Sequence, residues 1–345
     1  MSDNRGKFTQ AEILSQPETW KETLQYLKSD WVSRLPNLQD YDQIVITGCG
    51  STYYLSIWAA RFLHCSTGIP AIALPSSELW YSGDLWLKPF KKILFIAISR
   101  SGQTTETLQA LDQFLKVQKK DALAITCYKD SPLAKMSPLS VTTTAGMEQS
   151  VAQTRSFSNM MWPIIFLSEK NIPDSLITTV HSSAQTFLSN YQAAAREIGN
   201  NLGIERFFFL GNGSLFGLAQ EVMLKMKEMS LSYSEAFHFL EFRHGPMSMV
   251  NNQSLIIGFT NQATYSFELP VFNDMQKLGG RTLAVGKVSG KPQSIDYFFD
   301  IGEKVPSTWS YPFYLPLIQL LAYERSMAKG LNPDKPENLT AVVEL

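Results

Sequence analysis

The order strand, glycine turn, helix is written twice in this chain, 163 positions apart. QIVITGCGSTYYLSIWAARFL (43–63) is answered by RFFFLGNGSLFGLAQEVMLKM (206–226), with Gly48 and Gly50 matching Gly211 and Gly213. The apolar runs ILFIAIS (93–99) and SLIIGFT (254–260) follow at similar distances, and then DALAIT (121–126) and RTLAVG (281–286). Short continuous apolar runs alternating with helical patterns are the signature of parallel strands covered by helices on both faces. The expected fold is therefore α/β: two doubly wound parallel-sheet subdomains related by internal duplication. Their expected limits are 43–170 and 200–330. A helical lead-in (1–42) precedes them, a connecting helix (171–199) joins them and a tail (331–345) follows.

GCGSTY raises the possibility of a dinucleotide fold, but the details argue against it. Tyr53 occupies the third glycine position, and Phe216 occupies it in the second half. No acidic residue ends a second strand about twenty residues on, where a ribose would be bound. The net charge of −1 gives no electrostatic case for nucleic acid or an anionic membrane. No apolar run has the length of a membrane span, and MSDNRGKFTQ lacks the apolar stretch of a signal peptide. Cys49, Cys65 and Cys127 show neither disulfide nor zinc spacing, so no metal is expected. These features fit a cytoplasmic enzyme or binding protein.

SRSGQTTET (99–107) concentrates hydroxyl and amide side chains where a buried strand hands over to a helix. Leu108, Leu111, Phe114 and Leu115 then fall on one helical face. One hydroxyl would suffice for a helix cap. Several around a helix N-terminus also suit an anion, because free N–H groups and the helix dipole favour negative charge there. The residues alone leave both readings open. Farther on, Glu221, Lys225 and Glu228 share one helical face, which by itself reads as a solvated salt-bridge stripe.

TGCGST (47–52), SRSGQTTET, AGMEQSVAQTRSFS (145–158), LKMKEMSLSYSEAFHFLEFRHGP (224–246) and KGLNPDKPENL (329–339) together carry a family resemblance. The chain resembles SIS (sugar isomerase) domain proteins, and in particular the isomerase half of glucosamine-6-phosphate synthase. The resemblance implies that Ser99, Ser101 and Thr104 hold a sugar phosphate, with Gly102 allowing close backbone approach. Arg100 stands where the synthase has glutamine; it either contacts the phosphate or points to solvent. Ser51 and Thr52 match residues that contact the sugar, and their plain alternative is capping the next helix. Val151, Ala152 and Gln153 match a loop that closes over the sugar.

By the same resemblance Glu228 is the carboxylate that moves a proton between C1 and C2. Lys225 lies beside the sugar, and His244 opens the ring from a neighbouring subunit. A carboxylate serves as such a base when its surroundings bring its pKa toward neutrality. Glu241 matches a position near the histidine loop, with an ion pair to Arg243 as its plain alternative. His64 and His181 match nothing catalytic. One departure stands out: Ala341 occupies the position of a synthase lysine that enters the active site. With the repeat beginning at about residue 43, no glutaminase domain is expected.

The resemblance therefore implies an amino-sugar-phosphate isomerase or deaminase. It would convert glucosamine 6-phosphate to fructose 6-phosphate and ammonia, without cofactor, as a homodimer with shared active sites. A fructosamine-6-phosphate deglycase or a ketose/aldose isomerase would use nearly the same residues. A sugar-phosphate-binding sensor is the alternative from another class, although no basic helix-turn-helix accompanies the chain.

Overall fold

The computed structural model describes residues 4–87, 91–118, 121–288 and 294–340. In chain order the elements are α1 (Lys7–Leu14), α2 (Gln16–Asp30), β1 (Gln43–Gly48), α3 (Ser51–Thr67), β2 (Ala71–Pro75), α4 (Ser76–Leu87), β3 (Ile93–Ile98), α5 (Thr105–Gln118), β4 (Ala122–Thr126), α6 (Pro132–Met136), β5 (Leu139–Thr142) and α7 (Arg155–Ser168). There follow α8 (Asp174–Asn200), β6 (Arg206–Gly211), α9 (Leu215–Ser230), β7 (Tyr233–Phe237), α10 (Phe239–Phe242), β8 (Ser254–Asn261), α11 (Tyr265–Lys277), β9 (Arg281–Lys287), β10 (Tyr297–Asp300) and α12 (Pro316–Ala328). Among the described residues no helix is long and apolar enough to cross a membrane.

The fold is α/β with two five-stranded, all-parallel sheets. One has the order β2-β1-β3-β4-β5 and the other β10-β9-β8-β6-β7. Counted from the first strand of each sheet, the two orders are the same doubly wound pattern, 2-1-3-4-5. In each sheet the first strand sits in the interior, so β1 and β6 are paired on both edges and, Arg206 apart, are buried. The glycine turns after these strands also correspond. Gly50 and Gly213 adopt φ of +54° and +56°, a region most residues avoid. A Cβ on Gly48 or Gly211 would come within 2.6 Å of the following helix backbone. Glycine is thus needed twice in each turn, once for dihedral and once for space.

The chain divides into two compact units. The N-terminal unit comprises Glu18–Glu148 and Gln153–Thr178. Its core places Val45, Phe95, Leu111, Phe114 and Ala124 between sheet and helices, with Phe95 and Phe114 stacked 4.5 Å apart. Leu108 and Leu115 pack against it from the same helical face.

The C-terminal unit runs from Thr179 to Leu339 and recruits residues up to Pro17 and the short stretch Gln149–Ala152. Phe208, Phe239, Phe242, Ile256, Val271 and Phe272 form its core. Polar contacts tie α1 and the first residue of α2 into it. Asp334 Oδ1 accepts from both N and Oγ1 of Thr9 at 2.7 Å, and Gln16 donates to Gln319 Oε1 at 2.8 Å. Buried Glu12 accepts from the backbone N–H of Gln149 at 2.6 Å. The chain's first helix therefore belongs with its last, an association at a sequence distance no local pattern reports.

Candidate active site

In the N-terminal unit, β3 delivers Ser99 to the C-terminal edge of the sheet and α5 departs after Thr104. Ser99 Oγ accepts from the Gly102 N–H at 3.1 Å and lies 3.1 Å from Thr104 Oγ1. Ser101 Oγ accepts from the Gln103 N–H at 3.2 Å. Thr104 begins the helix through its carbonyl, which accepts from Leu108 N. The hydroxyls thus shape the loop by accepting backbone protons. A hydroxyl that accepts in this way keeps its own O–H as a donor, which suits an anion. Gly102 has φ of +63°, and a Cβ there would lie 2.2 Å from Ser131 Oγ, so the turn admits only glycine without rearrangement.

Arg100 corrects the solvent reading. It is buried, and its Nη1 lies 3.4 Å from Glu148 Oε2. An exposed loop arginine would spend its charge on water; this one is held by a carboxylate with no exposed side-chain surface. Glu148 itself accepts from Thr154 N at 2.6 Å, Thr154 Oγ1 at 2.8 Å and Ser156 Oγ at 2.5 Å. Glu148 thereby fixes both the loop and the start of α7. Glu148 lies within AGMEQSVAQTRSFS without an expected role of its own; the local signal for one is an acid six residues before Thr154.

Ser51 and Thr52 sit at the start of α3 and are buried. The capping alternative fails for Ser51, because the cap is Gly50 and no side chain bonds there. Thr52 Oγ1 accepts from Cys49 N and donates to Cys49 O, both at 2.9 Å, so it braces the glycine turn. Thr47, Ser76 and Thr107 form a hydroxyl chain beneath this turn, with spacings of 3.0 and 3.2 Å. Burial pushes the Cys49 thiol pKa up, away from nucleophilic chemistry. Gln153 is in this unit, and its Oε1 is buried without a hydrogen-bond partner. An amide oxygen left that way is a ready acceptor.

The C-terminal unit holds Val151, Lys225, Glu228 and His244. Val151 N donates to Asp334 O at 3.0 Å. The solvated-stripe reading of α9 is corrected. Glu221 is fully buried and Lys225 is 1 % exposed, with 3.5 Å between the ammonium and Glu221 Oε1. The same ammonium contacts Glu228 Oε2, and Glu228 is 18 % exposed. α9 packs against β6, β7 and α12, which removes this face from water. A buried lysine between two carboxylates, one reaching solvent, holds that outer carboxylate in place by charge.

His244 is exposed in the turn after α10, where Gly245 adopts φ of +132° before Pro246. Arg243 pairs with Asp274 at 2.5 Å, so the suggested Glu241–Arg243 pair gives way to a partner on α11. His238 stacks on Phe216 at 3.9 Å between ring centroids. His64 Nδ1 lies 3.0 Å from Ile69 O in the other unit. Ala341 lies outside the described residues.

Another carboxyl lies outside the expected site residues. Glu268 is fully buried on α11, and burial raises its pKa to about 7. Asn212 and Thr264 donate to its Oε1 at 3.1 and 2.5 Å, while Oε2 is buried without a hydrogen-bond partner. No expected site residue lies on α11, and nothing in its local spacing marks Glu268 as buried.

The SIS domain matches residues 37–167 and 203–292, more than half of the chain. Among curated relatives, the glutamine–fructose-6-phosphate aminotransferase (isomerizing) of Sulfurisphaera tokodaii is 26 % identical over 97 % of this chain and 56 % of its own length. That of Pyrococcus horikoshii is 27 % identical over 97 % and 57 %. The chain thus spans little more than half the length of these relatives. Among solved structures, a glucosamine-6-phosphate deaminase from Thermotoga maritima aligns with a TM-score of 0.78 at 27 % identity, over 97 % of this chain and 99 % of that one. A tagatose-6-phosphate ketose/aldose isomerase from Escherichia coli shares the fold, with a TM-score of 0.82 at 21 % identity over 95 % of each chain. With both glycine turns and both sheets accounted for, this chain belongs to the SIS domain family.

Proposed function

We propose that this protein is an amino-sugar-phosphate isomerase and deaminase acting on glucosamine 6-phosphate. The observation that carries the reading is the Glu221–Lys225–Glu228 arrangement on α9. It presents one charge-anchored carboxylate to solvent, as a C1–C2 proton transfer requires. The hydroxyls of Ser99, Ser101 and Thr104 hold the phosphate, aided by the buried Arg100; Ser51, Thr52, Val151 and Gln153 bind the sugar. His244, supplied by a second copy of the chain, transfers a proton between the ring oxygen and O1 so that the aldehyde forms. Glu228 removes the proton from C2, electrons move onto the C1 carbonyl, its oxygen takes a proton from water, and an enolamine results. Glu228 returns the proton to C1 while the nitrogen gives up an N–H proton to water, leaving a C2 ketimine. Water adds to that carbon and ammonia departs, giving fructose 6-phosphate. Lys225 fixes the orientation of Glu228 throughout. No organic cofactor enters this scheme, since the nitrogen and the carboxylate support the proton shift.

Likeness across nearly the whole chain to the Thermotoga maritima deaminase supports this choice among reactions. The test is incubation with glucosamine 6-phosphate, following ammonia and fructose 6-phosphate together. Equal release of both is expected. Turnover of fructosamine 6-phosphates or of unaminated sugar phosphates, with none of glucosamine 6-phosphate, replaces it with a deglycase or simple isomerase. Binding without turnover of any of them returns the protein to the sensors.

A further inference from the structure

The sheet of the C-terminal unit has its own topological switch, between β6 and β8, where the strand order reverses. Right-handed crossovers from these two strands carry α9 and α11 to opposite faces. In open parallel sheets a crevice forms there, beyond the C-terminal strand ends, and ligands bind in it. Here the crevice is a cavity of about 480 Å³, within the range of small-molecule sites. None of the residues assigned above to phosphate, sugar or proton transfer lines it.

Its wall is polar in a particular way. Asn261 ends β8, Lys287 ends β9, and Ser307, Ser310 and Tyr311 come from the turns before α12. The Lys287 side chain is only 9 % exposed. Its ammonium donates to Val305 O at 2.6 Å, while the nearest carboxylate, Glu303, lies 3.8 Å away with its own side chain 79 % exposed. One of three donor protons is thus spent on a carbonyl, and the counter-charge is distant and solvated. An ammonium withdrawn from water at a cavity wall needs a closer anion than that. The neutral amide and hydroxyl groups around it suit the hydroxyls of a polyol.

We propose that this cavity is a second ligand site, which takes a small hydroxyl-rich anion of monosaccharide-phosphate size. Its phosphate would lie on Lys287 and its hydroxyls on Asn261, Ser307, Ser310 and Tyr311. Glu303 opposes that charge at the rim, so ligand binding displaces it toward solvent.

The probe is glucose 6-phosphate, titrated calorimetrically into the full chain carrying Ser101→Ala and Thr104→Val, which weakens the loop after β3. Saturable binding of one equivalent per chain is expected, with inorganic phosphate competing. Adding Lys287→Met should weaken it at least tenfold, by loss of a charged hydrogen bond. Adding Glu303→Gln should tighten it about two- to fivefold, by removing the competing charge. Glu303 is exposed, so this variant decides the matter if Lys287→Met does not fold. Absence of binding in the double-variant background overturns the proposal, as does unchanged affinity in Lys287→Met or Glu303→Gln. The readout is binding rather than turnover, so a failed deaminase assay leaves this result separate.

Discussion

At Glu228 a carboxylate oxygen rests against the ammonium of a lysine that is itself out of water. Glu228→Gln keeps the shape and removes the base; kcat should fall by about 10²–10⁴ with KM nearly unchanged. Near-normal kcat would reduce the residue to an ion-pair partner. Lys225→Met removes a buried ammonium 3.5 Å from the buried Glu221 carboxylate, and should cost about 3–5 kcal/mol in thermal or denaturant unfolding. Glu221→Gln in the same chain should recover much of that loss, because the buried carboxylate that faced the ammonium is then neutral. Glu268 titrates differently. Its pKa in the folded chain, about 7, lies above its ordinary value, so the native state holds the proton more tightly than the unfolded state. Its contribution is fully present below about pH 4.5 and is lost as pH rises through 7, on the order of 2–3 kcal/mol. Wild type should therefore lose stability relative to Glu268→Gln between pH 5 and pH 8, and a pH-independent difference would refute this.

Two elements decide the chemistry available to the chain. The loop between β3 and α5 is held by its own hydroxyls, by a carbonyl contact from Arg100 to Thr126 at 3.0 Å, and by a glycine with no room for a methyl group. Gly102→Ala must move Ser131 or unwind a left-handed residue, at about 1–3 kcal/mol. Ser101→Ala with Thr104→Val should leave stability nearly intact and weaken sugar-phosphate binding at least tenfold. Unchanged affinity in the second case would make the hydroxyls purely loop-forming. The helix α9 is the other element. Its amphipathic spacing resembles that of a surface helix, yet the strands and α12 enclose the charged face, so the same three residues change from a salt-bridge stripe to a buried clamp.

For the whole molecule, the proposed dimer has a decisive test. His244 is exposed, in a turn where Gly245 takes a positive φ, as a residue serving a neighbouring chain would be. Glu228→Gln and His244→Ala chains, each inactive, should recover activity when co-expressed. A mixed dimer then has one site with both defects and one with neither, and reaches up to half of wild-type turnover. No recovery in verified hybrids, or a fully active monomer by sedimentation, rejects shared sites.

The paired glycine turns, the apolar strand runs and the 163-residue offset were sufficient to determine two like-ordered parallel sheets. Each signal is local, and crossover handedness leaves few ways to assemble them. The cluster after β3 was legible for the same reason: Ser99, Ser101, Gly102 and Thr104 are neighbours in the chain. What the sequence left open was set by contacts between distant segments. Only folding buries Arg100 against Glu148, 48 positions away, and turns an expected solvent-facing arginine into a loop anchor. Only folding ties α1, through Thr9 and Asp334, and the start of α2, through Gln16 and Gln319, into the C-terminal unit. Burial of Glu221, Lys225 and Glu268 was likewise invisible, because helical spacing says which residues share a face but not what covers it. Tertiary packing decides that, and with it the charge state and reach of every group the chemistry would use.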